Sequence, residues 1–191
     1  MILEGLLVDL VPPGDRFKVL EHRWENNESA FWSDVGDRQF LSRQVIQRRQ
    51  EERAARPGPR MGVGFGVQTK EGTPIGTFFV GDIKPHLRLA MLGAQIGEPD
   101  YWGGGYGTDA LLLIVDYAFD WLDLHRLWLV TMSLNARALR QMAKVGFRLE
   151  ARQRQATLAE NAWHDLIFFG LLREEWPGRA ALVERLGLGQ R

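Results

Sequence analysis

Ile96-Gly-Glu-Pro-Asp-Tyr-Trp-Gly-Gly-Gly-Tyr-Gly-Thr-Asp-Ala110 is the most informative stretch of this sequence, because it sets four glycines within residues 103–107, ahead of an apolar segment at 109–122. Glycine adopts positive φ without steric cost, so successive amide N–H groups can converge on one point. A helix that begins there adds unpaired N–H groups and the positive end of its dipole. The stretch therefore predicts a pyrophosphate cradle, although a triple glycine alone also suits a flexible joint.

Hydrophobic spacing on either side of this stretch predicts the other elements. Strands are expected at 2–11, 61–69, 75–80, 88–96, 126–132, 147–152 and 164–172, and helices at 15–26, 39–55, 109–122, 135–145 and 178–186. This order predicts a mixed α/β fold with a single central, mostly antiparallel sheet of about seven strands flanked by helices. We expect one domain, with acceptor-side helices in 1–60, a cofactor-binding core in 61–176 and a closing helix and tail in 177–191.

Composition excludes several classes of protein. The 24 basic and 24 acidic residues give a formal net charge of zero, which disfavours nucleic acid as a partner. The chain has no cysteine and four histidines without paired spacing, so neither a disulfide nor a metal site is predicted. The N-terminus lacks the features of a signal peptide, and no apolar run is long enough to span a bilayer. The predicted location is cytoplasmic, with no membrane partner.

Two common phosphate-binding loops do not fit the glycine stretch. The P-loop requires Lys-Ser or Lys-Thr after its last glycine, whereas Thr108 and Asp109 follow Gly107. The dinucleotide fingerprint requires a third glycine where Thr108 stands, together with an early βαβ unit. Gly62-Val-Gly-Phe-Gly-Val fails in the same way, and its glycines are typical of a strand that neighbours approach closely.

A third pattern fits better. The stretch resembles the cofactor motif of the GNAT superfamily of N-acetyltransferases, Gln/Arg-x-x-Gly-x-Gly/Ala at the head of a buried helix. Trp102 takes the first position, and the version "Tyr-Trp-Gly-x-Gly-Tyr-Gly-Thr-Glu-Ala" of the ribosomal-protein and spermidine acetyltransferase branch is especially similar. Asp109 replaces the usual glutamate and Gly104 the usual lysine or arginine, a loss that weakens the expected phosphate contact.

A second block supports the resemblance. Asn135-Ala-Arg-Ala-Leu-Arg-Gln-Met-Ala-Lys-Val-Gly-Phe147 is similar to the family's "Asn-x-x-Ala/Ser…Lys-x-Gly-Phe" helix, which flanks the pantetheine. The resemblance implies acetyl-CoA as cofactor. The residues that it assigns to cofactor binding are Gln95, Ile96, Gly97, Trp102, Gly103, Gly104, Gly105, Tyr106, Gly107, Thr108, Asn135, Ala138, Met142 and Lys144.

The resemblance also implies direct transfer of the acetyl group to a neutral amine, with a backbone N–H on the strand before the glycine turn as oxyanion donor. The predicted strand at 88–96 carries no acid, so Asp82 is the weak candidate for a catalytic base, although it also reads as a surface turn residue. Alignment puts Met142 at the family's tyrosine position and Ala138 at its serine position. Neither side chain can protonate a thiolate, so water would substitute, or activity is lost.

Aromatic and acidic residues of the first helices are candidates for holding the amine acceptor. Trp32 and Asp34 would contact a cationic amine from one side, and His164 from the last strand. Trp32 also suits the core, and His164 a structural pairing with Asp165.

Two functions remain open at this stage. The first is an N-acetyltransferase that acts on a small amine or a protein N-terminus. The alternative is a catalytically silent acyl-CoA-binding module, which the absence of a proton donor at Met142 and Ala138 would also produce. Assembly as a homodimer is the commonest oligomeric outcome and is kept as an expectation.

Overall fold

The fold is a single eight-stranded sheet with helices on both faces, described by a computed structural model. The structure describes residues 2–33, 35, 40–55 and 62–189, with the side chains of 53–55 left aside. The strands are β1 (Leu3–Glu4), β2 (Val8–Val11), β3 (Val63–Thr69), β4 (Pro74–Lys84), β5 (Leu89–Ile96), β6 (Arg126–Met132), β7 (Arg148–Ala159) and β8 (Ala162–Leu172). The helices are α1 (Asp15–Trp24), α2 (Glu28–Ser33), α3 (Arg43–Ala55), α4 (Tyr106–Asp116), α5 (Ala136–Val145) and α6 (Arg179–Leu186).

The sheet order is β1-β2-β3-β4-β5-β6-β8-β7, and every neighbouring pair is antiparallel except β5 with β6. The predicted mixed α/β architecture is confirmed, with eight strands where about seven were expected. The difference arises at the N-terminus, where the apolar run at 2–11 forms the hairpin β1–β2 because the Gly5 N–H donates to the Val8 carbonyl at 2.8 Å. Because β2 pairs with β3, the two N-terminal strands belong to the same sheet as the predicted cofactor core.

The main core lies between the sheet and α4. All residues from Asp109 to Val115 are buried, as the apolar composition of the segment predicts. The helix begins three residues before the predicted start, at Tyr106, and its last turn, Tyr117–Trp121, is π-helical rather than α-helical. Met142 and Val145 of α5 and Leu182 of α6 join this core from the same face.

The opposite face of the sheet is covered by α1 and α2. Phe17 of α1 packs on Gly66 of β3, where a Cβ atom would overlap the ring. Phe31 of α2 packs with Met132 of β6 in a second cluster. The six-residue α2 was not expected, because so short a segment shows no helical periodicity. The sheet therefore separates an α4–α5–α6 face from an α1–α2 face.

Asp116 at the end of α4 makes the stability of this core sensitive to pH. Its carboxylate accepts a hydrogen bond from the Trp176 indole at 2.7 Å. Burial raises the pKa of Asp116 above its ordinary value, and the neighbouring charge of Asp120 adds to the rise. A raised folded-state pKa contributes stability at low pH that is lost as the pH rises through that pKa.

We therefore predict that Asp116→Asn gains stability relative to the wild type as the pH rises from about 4 to about 7, because only the wild type must ionise a half-buried carboxyl. Urea unfolding of both proteins at several pH values measures the difference. A difference in unfolding free energy that stays constant across this range contradicts the prediction.

Candidate active site

The sheet opens between β5 and β6. The two parallel strands pair at Leu89↔Arg126, Ala90↔Leu127 and Met91↔Trp128, and the described residues show no pairing between them beyond these three positions. Both strands continue in the same direction, β5 to Ile96 and β6 to Met132, so their carboxyl ends diverge. The opening is a cleft that passes from one face of the sheet to the other.

The backbone of β5 lines one side of this cleft. The Gly97 N–H donates to the Ile75 carbonyl of β4 at 2.8 Å, whereas the Arg88 carbonyl accepts from the Arg126 N–H at the start of β6 at 3.1 Å. Because backbone groups alternate in direction along a strand, the amides of Ala94 and Ile96 are directed toward the diverging β6. Ala94 was not among the predicted site residues, although strand alternation alone could have identified it.

The glycine turn lies at the end of this strand and heads α4. Gly103 has φ of 84° and Gly105 has φ of 93°, values that suit glycine and strain other residues. Gly105 is the N-cap of α4, and its carbonyl accepts from the Thr108 N–H at 3.0 Å. The amides of Tyr106 and Gly107 precede this first bond of the helix, so they are available to an anion at the positive end of the α4 dipole.

Asp109 fixes this turn from behind. Its side chain is 0% exposed; one carboxylate oxygen accepts from the amides of Leu7 and Val8 at 2.8 and 3.2 Å, and the other from Arg179 at 2.9 Å. The position at which the resemblance has a glutamate is therefore a structural anchor that ties β1–β2 and α6 to the first turn of α4. Leu7 and Leu188, which follows α6, also flank Gly105. A Cβ atom at Gly105 would lie 3.1 Å from the Leu7 side chain and 3.4 Å from that of Leu188.

Trp102 lies across the mouth of the cleft. Its indole N–H donates to the Ile96 carbonyl at 2.8 Å, on the side of β5 from which β6 has diverged. The neighbouring Tyr101 and Tyr106 rings pack edge to face, with 5.0 Å between their centroids, and hold the loop against the start of α4. Trp102 thus occupies part of the space between the two strand ends.

The first turn of α5 forms the opposite side of the cleft. Asn135 is its N-cap, and its side-chain oxygen accepts from the Ala138 amide at 3.1 Å. Gln141 reaches Thr108 at 3.4 Å and so joins α5 to α4. Met142 is buried in the main core, and Lys144 is exposed at the far end of the helix. Asn135 and Ala138 thus lie in the first turn of α5 and Thr108 contacts the same helix through Gln141, whereas the Met142 side chain is in the core and that of Lys144 in solvent.

The predicted residues at the end of β5 are tied to the α1–α2 junction. The Gln95 side chain donates to Ser29 at 3.0 Å and to the Trp24 carbonyl at 3.3 Å, away from the glycine turn. The Gly97 carbonyl accepts from Asn27 at 2.9 Å. A Cβ atom at Gly97 would overlap the Trp24 ring, so this glycine allows α1 to approach the strand. These contacts position β5 rather than line the cofactor side of the cleft.

Arg137 is a cleft residue that sequence reasoning left without a role. Its guanidinium carbon lies 3.8 Å from the ring centroid of Trp102 and 5.6 Å from that of Trp32. Desolvation lowers its pKa below the ordinary value, and the charge of Glu28 opposes this effect. One signal was available, since a cation in the first turn of a helix opposes the helix dipole and calls for an external reason.

The predicted acceptor residues are only partly brought together. Trp32 of α2 lies at the cleft through its contact with Arg137. His164 is two residues before Leu166, which packs in the Phe31 cluster, so it shares the α2-facing side of β8; its Nε2 is buried without a partner among the described residues. Asp34 lies outside the described residues, and so does Asp37.

Asp165 does not pair with its neighbour His164. Its carboxylate accepts from the Gln155 N–H at 2.9 Å and from Arg152 at 2.5 Å, and these contacts hold the pKa of Asp165 below its ordinary value. Asp82 lies at a bulge of β4 and forms an ion pair with Lys84 at 2.6 Å. It is six residues from Gly76, which pairs with Ile96, so roughly 20 Å of strand separate it from the glycine turn. The structure does not bring Asp82 to the cleft.

Two features are absent from the described ranges. In the part of the chain that the structure describes, no three His, Asp or Glu side chains are grouped closely enough to hold a metal ion. None of the helices in these ranges has the length and apolar character that crossing a bilayer requires.

With the cleft and the glycine turn in place, the comparison with known families is decisive. The family described as "Acetyltransferase (GNAT) domain" matches residues 11–148, well over half of the chain. This chain belongs to that family. The match includes the glycine turn and the whole of α5, and it confirms the resemblance that the sequence motifs indicated.

The curated relatives that this GNAT chain matches are named as N-acetyltransferases. The "Uncharacterized N-acetyltransferase YnaD" of Bacillus subtilis (strain 168) is 32% identical over 79 residues, which are 41% of this chain and 46% of YnaD. The chain spans about half the length of the first curated relatives it matches.

Solved structures share the fold of this GNAT chain. The spermidine N-acetyltransferase from Vibrio cholerae, in complex with CoA and spermine, has a TM-score of 0.79 at 18% identity, covering 88% of this chain and 97% of that chain. Mycobacterium smegmatis RimJ, in complex with CoA-disulfide, has a TM-score of 0.75 at 23% identity, covering 97% and 91%.

The conformation of Gly105 provides a test of the cradle in this GNAT chain. A side chain at φ of 93° costs about 1–2 kcal/mol, so we predict that Gly105→Ala raises the Kd for CoA by about fivefold or more. Isothermal titration calorimetry measures the change. Gly64→Ala is the matched control, because Gly64 has open space around its Cα and lies on β3, outside the cleft. Equal CoA affinity in all three proteins contradicts a phosphate cradle at this turn.

Proposed function

We propose that this chain transfers the acetyl group of acetyl-CoA directly to a primary amine, either a small amine or a protein N-terminus. The observation that carries the proposal is the position of the glycine turn at the end of a strand whose neighbour has diverged. The turn offers converging amides to a pyrophosphate, and the cleft beside it offers a path to the other face of the sheet. The residues present therefore fit CoA.

When bound, acetyl-CoA supplies an acetyl group activated as a thioester. The Ala94 and Ile96 amides face the diverging strand, and in the proposed mechanism one of these N–H groups would donate to the thioester oxygen that becomes negative during attack. Donors fixed in a strand need no reorganisation at that moment. The remaining rate enhancement comes from holding the amine beside the thioester carbonyl.

The strand and helix that border the cleft provide no side chain for proton transfer. β5 carries no acidic side chain, so the base that deprotonates the amine lies on another element or is water. On α5, Met142 is buried and Ala138 offers only its backbone, which Asn135 already engages. Neither side chain protonates the thiolate, and water in the open cleft takes this role in the proposed mechanism.

Turnover tests the proposal directly. The purified chain is incubated with acetyl-CoA and a panel of amines that includes spermidine, amino acids and short peptides, and released thiol is measured together with the mass of the acetylated amine. Amine-dependent thiol release supports the proposal. Binding of CoA without thiol release above the enzyme-free rate, across the whole panel, overturns it in favour of a silent acyl-CoA-binding module.

Gly104 allows a gain-of-function prediction. It is exposed in the turn at the position where the motif that it resembles has a lysine or arginine, and a Cβ atom there would lie 2.9 Å from the Tyr106 ring, which must shift slightly. We predict that Gly104→Lys lowers the Kd for CoA by roughly two- to fivefold at low salt and that the gain disappears at high salt, as for an exposed ionic contact.

The matched control for this prediction is Gly64→Lys. It adds the same charge at an exposed position of β3, away from the turn, so it separates a local phosphate contact from a change in net charge. Calorimetric titration with CoA at two salt concentrations makes the comparison. Similar gains from both variants, or none from Gly104→Lys, refute a phosphate at this position.

A further inference from the structure

Arg137 is held in a fixed position at the mouth of the cleft. Its guanidinium lies between two indoles, 3.8 Å from the centroid of Trp102 and 5.6 Å from that of Trp32. The Trp102 indole is itself fixed by its hydrogen bond to the Ile96 carbonyl, and the Trp32 indole donates to Glu28 at 3.2 Å. A side chain with four rotatable bonds is thus confined before any ligand binds, which reduces the entropy that binding must cost.

The polar edge of this guanidinium has no carboxylate partner in the described part of the chain. Other arginines of the fold are paired: Arg23 with Glu98, Arg126 with Glu150 and Arg179 with Asp109. Arg137 forms no ion pair with the described carboxylates, and Glu28 acts on it only through space. Stacking uses the faces of the guanidinium and leaves its N–H groups, which lie in the plane, free to donate.

The surroundings keep this charge positive and unneutralised. An arginine remains protonated even where burial lowers its pKa, and the first turn of α5 adds the positive end of the helix dipole. Glu28, the described acidic residue whose charge acts on Arg137, already accepts the Trp32 indole N–H. The mouth of the cleft is therefore a preorganised site for an anionic group that can accept two parallel hydrogen bonds.

Arg137 reaches from the cofactor side of the cleft to the α2 side. Trp102 directly precedes the glycine turn, whereas Trp32 belongs to α2, on the face of the sheet opposite α4. A ligand that reaches Arg137 from the α2 side enters by the acceptor end of the cleft. The aromatic surface of Trp32, which the sequence offered as a wall for a cationic amine, already contacts the cation of this protein's own Arg137.

We propose that Arg137 determines acceptor specificity by binding a carboxylate of the amine acceptor, so that this chain prefers amino acids or acidic peptides over polyamines. The inference rests on the proposed function and deepens it. A carboxylate matches the guanidinium fork in two hydrogen bonds, whereas a polyamine brings a second positive charge toward Arg137.

Paired acceptors that differ in one group provide the test. Glycine, 4-aminobutanoate and 6-aminohexanoate are compared with their neutral amides, and spermidine is included as a polyamine. We expect the acid to exceed its amide in kcat/KM by at least about tenfold in the best pair, since a charged hydrogen-bonded contact discriminates strongly. Arg137→Gln should bring this ratio close to one while the Kd for CoA stays within about twofold of the wild type.

Two further variants separate recognition from structural support. Arg137→Lys keeps the charge but loses the fork, so it should retain part of the preference. Arg140→Gln removes an exposed arginine from the same helix and should leave the ratio unchanged. If Arg137→Gln slows acid and amide equally, or weakens CoA binding without changing their ratio, Arg137 is only a brace and the inference is overturned.

Equilibrium binding decides the inference even if turnover is absent. Trp32 and Trp102 flank the guanidinium, so their fluorescence reports a ligand at this position. Titration of the CoA-saturated protein with each acid and amide should show tighter binding of the acid, lost in Arg137→Gln. Equal affinity for acid and amide overturns the inference, whereas absence of acetylation with every amine, spermidine included, counts against the proposed function alone.

Discussion

Three residue pairs, Leu89–Met91 on β5 against Arg126–Trp128 on β6, join the two halves of the sheet in parallel, and the strands then part. Each strand is secured on its other side by an antiparallel neighbour, β4 or β8, so the opening does not cost the sheet its cohesion. It does leave backbone polar groups of β5 without a strand partner, and such groups require partners of another kind. Trp102 supplies one to the Ile96 carbonyl. The other backbone polar groups of β5 at the cleft can hydrogen-bond to a ligand that carries amide groups of its own.

The elements around the opening are held by buried polar contacts rather than by apolar packing alone. Asp109 anchors the turn before α4, and Ser29 and Gln95 connect the α1–α2 junction to β5. Both sets join segments distant in sequence, so they fix the turn and the strand end relative to each other. The cofactor side and the acceptor side of the cleft thereby meet at a defined position, which transfer between two ligands requires.

The sequence predicted local features of the fold correctly where the backbone or the core requires a particular residue type. The positive φ of Gly103 and Gly105 leaves a glycine signature, and the buried α4 an apolar one. The hairpin β1–β2 was predicted as one strand because residues 2–11 are mostly apolar and only Glu4, Gly5 and Asp9 interrupt them. In α2, six residues are too few to show a period.

Contacts between distant segments were not readable in the same way. Asp109 looked like a variant of a motif position, yet its partners are Leu7, Val8 and Arg179, about 100 and 70 positions away. Gln95 was placed on the cofactor side, but its side chain points to Ser29. Arg137 acquires its environment from two tryptophans that the fold brings together. Composition and spacing carry no record of such pairs, because only the folded topology makes them neighbours.

Leu7 of the β1–β2 hairpin and Leu188 after α6 flank Gly105 of the glycine turn. A ligand that stabilises this conformation of the turn must, by thermodynamic linkage, also stabilise the packing of both segments against it. Their backbone amides should exchange with solvent deuterium more slowly once the cradle is filled, although they lie near opposite ends of the sequence. The packing of these two terminal segments is thus energetically coupled to ligand binding at the turn. Loss of either contact would lower the affinity of the turn for its ligand.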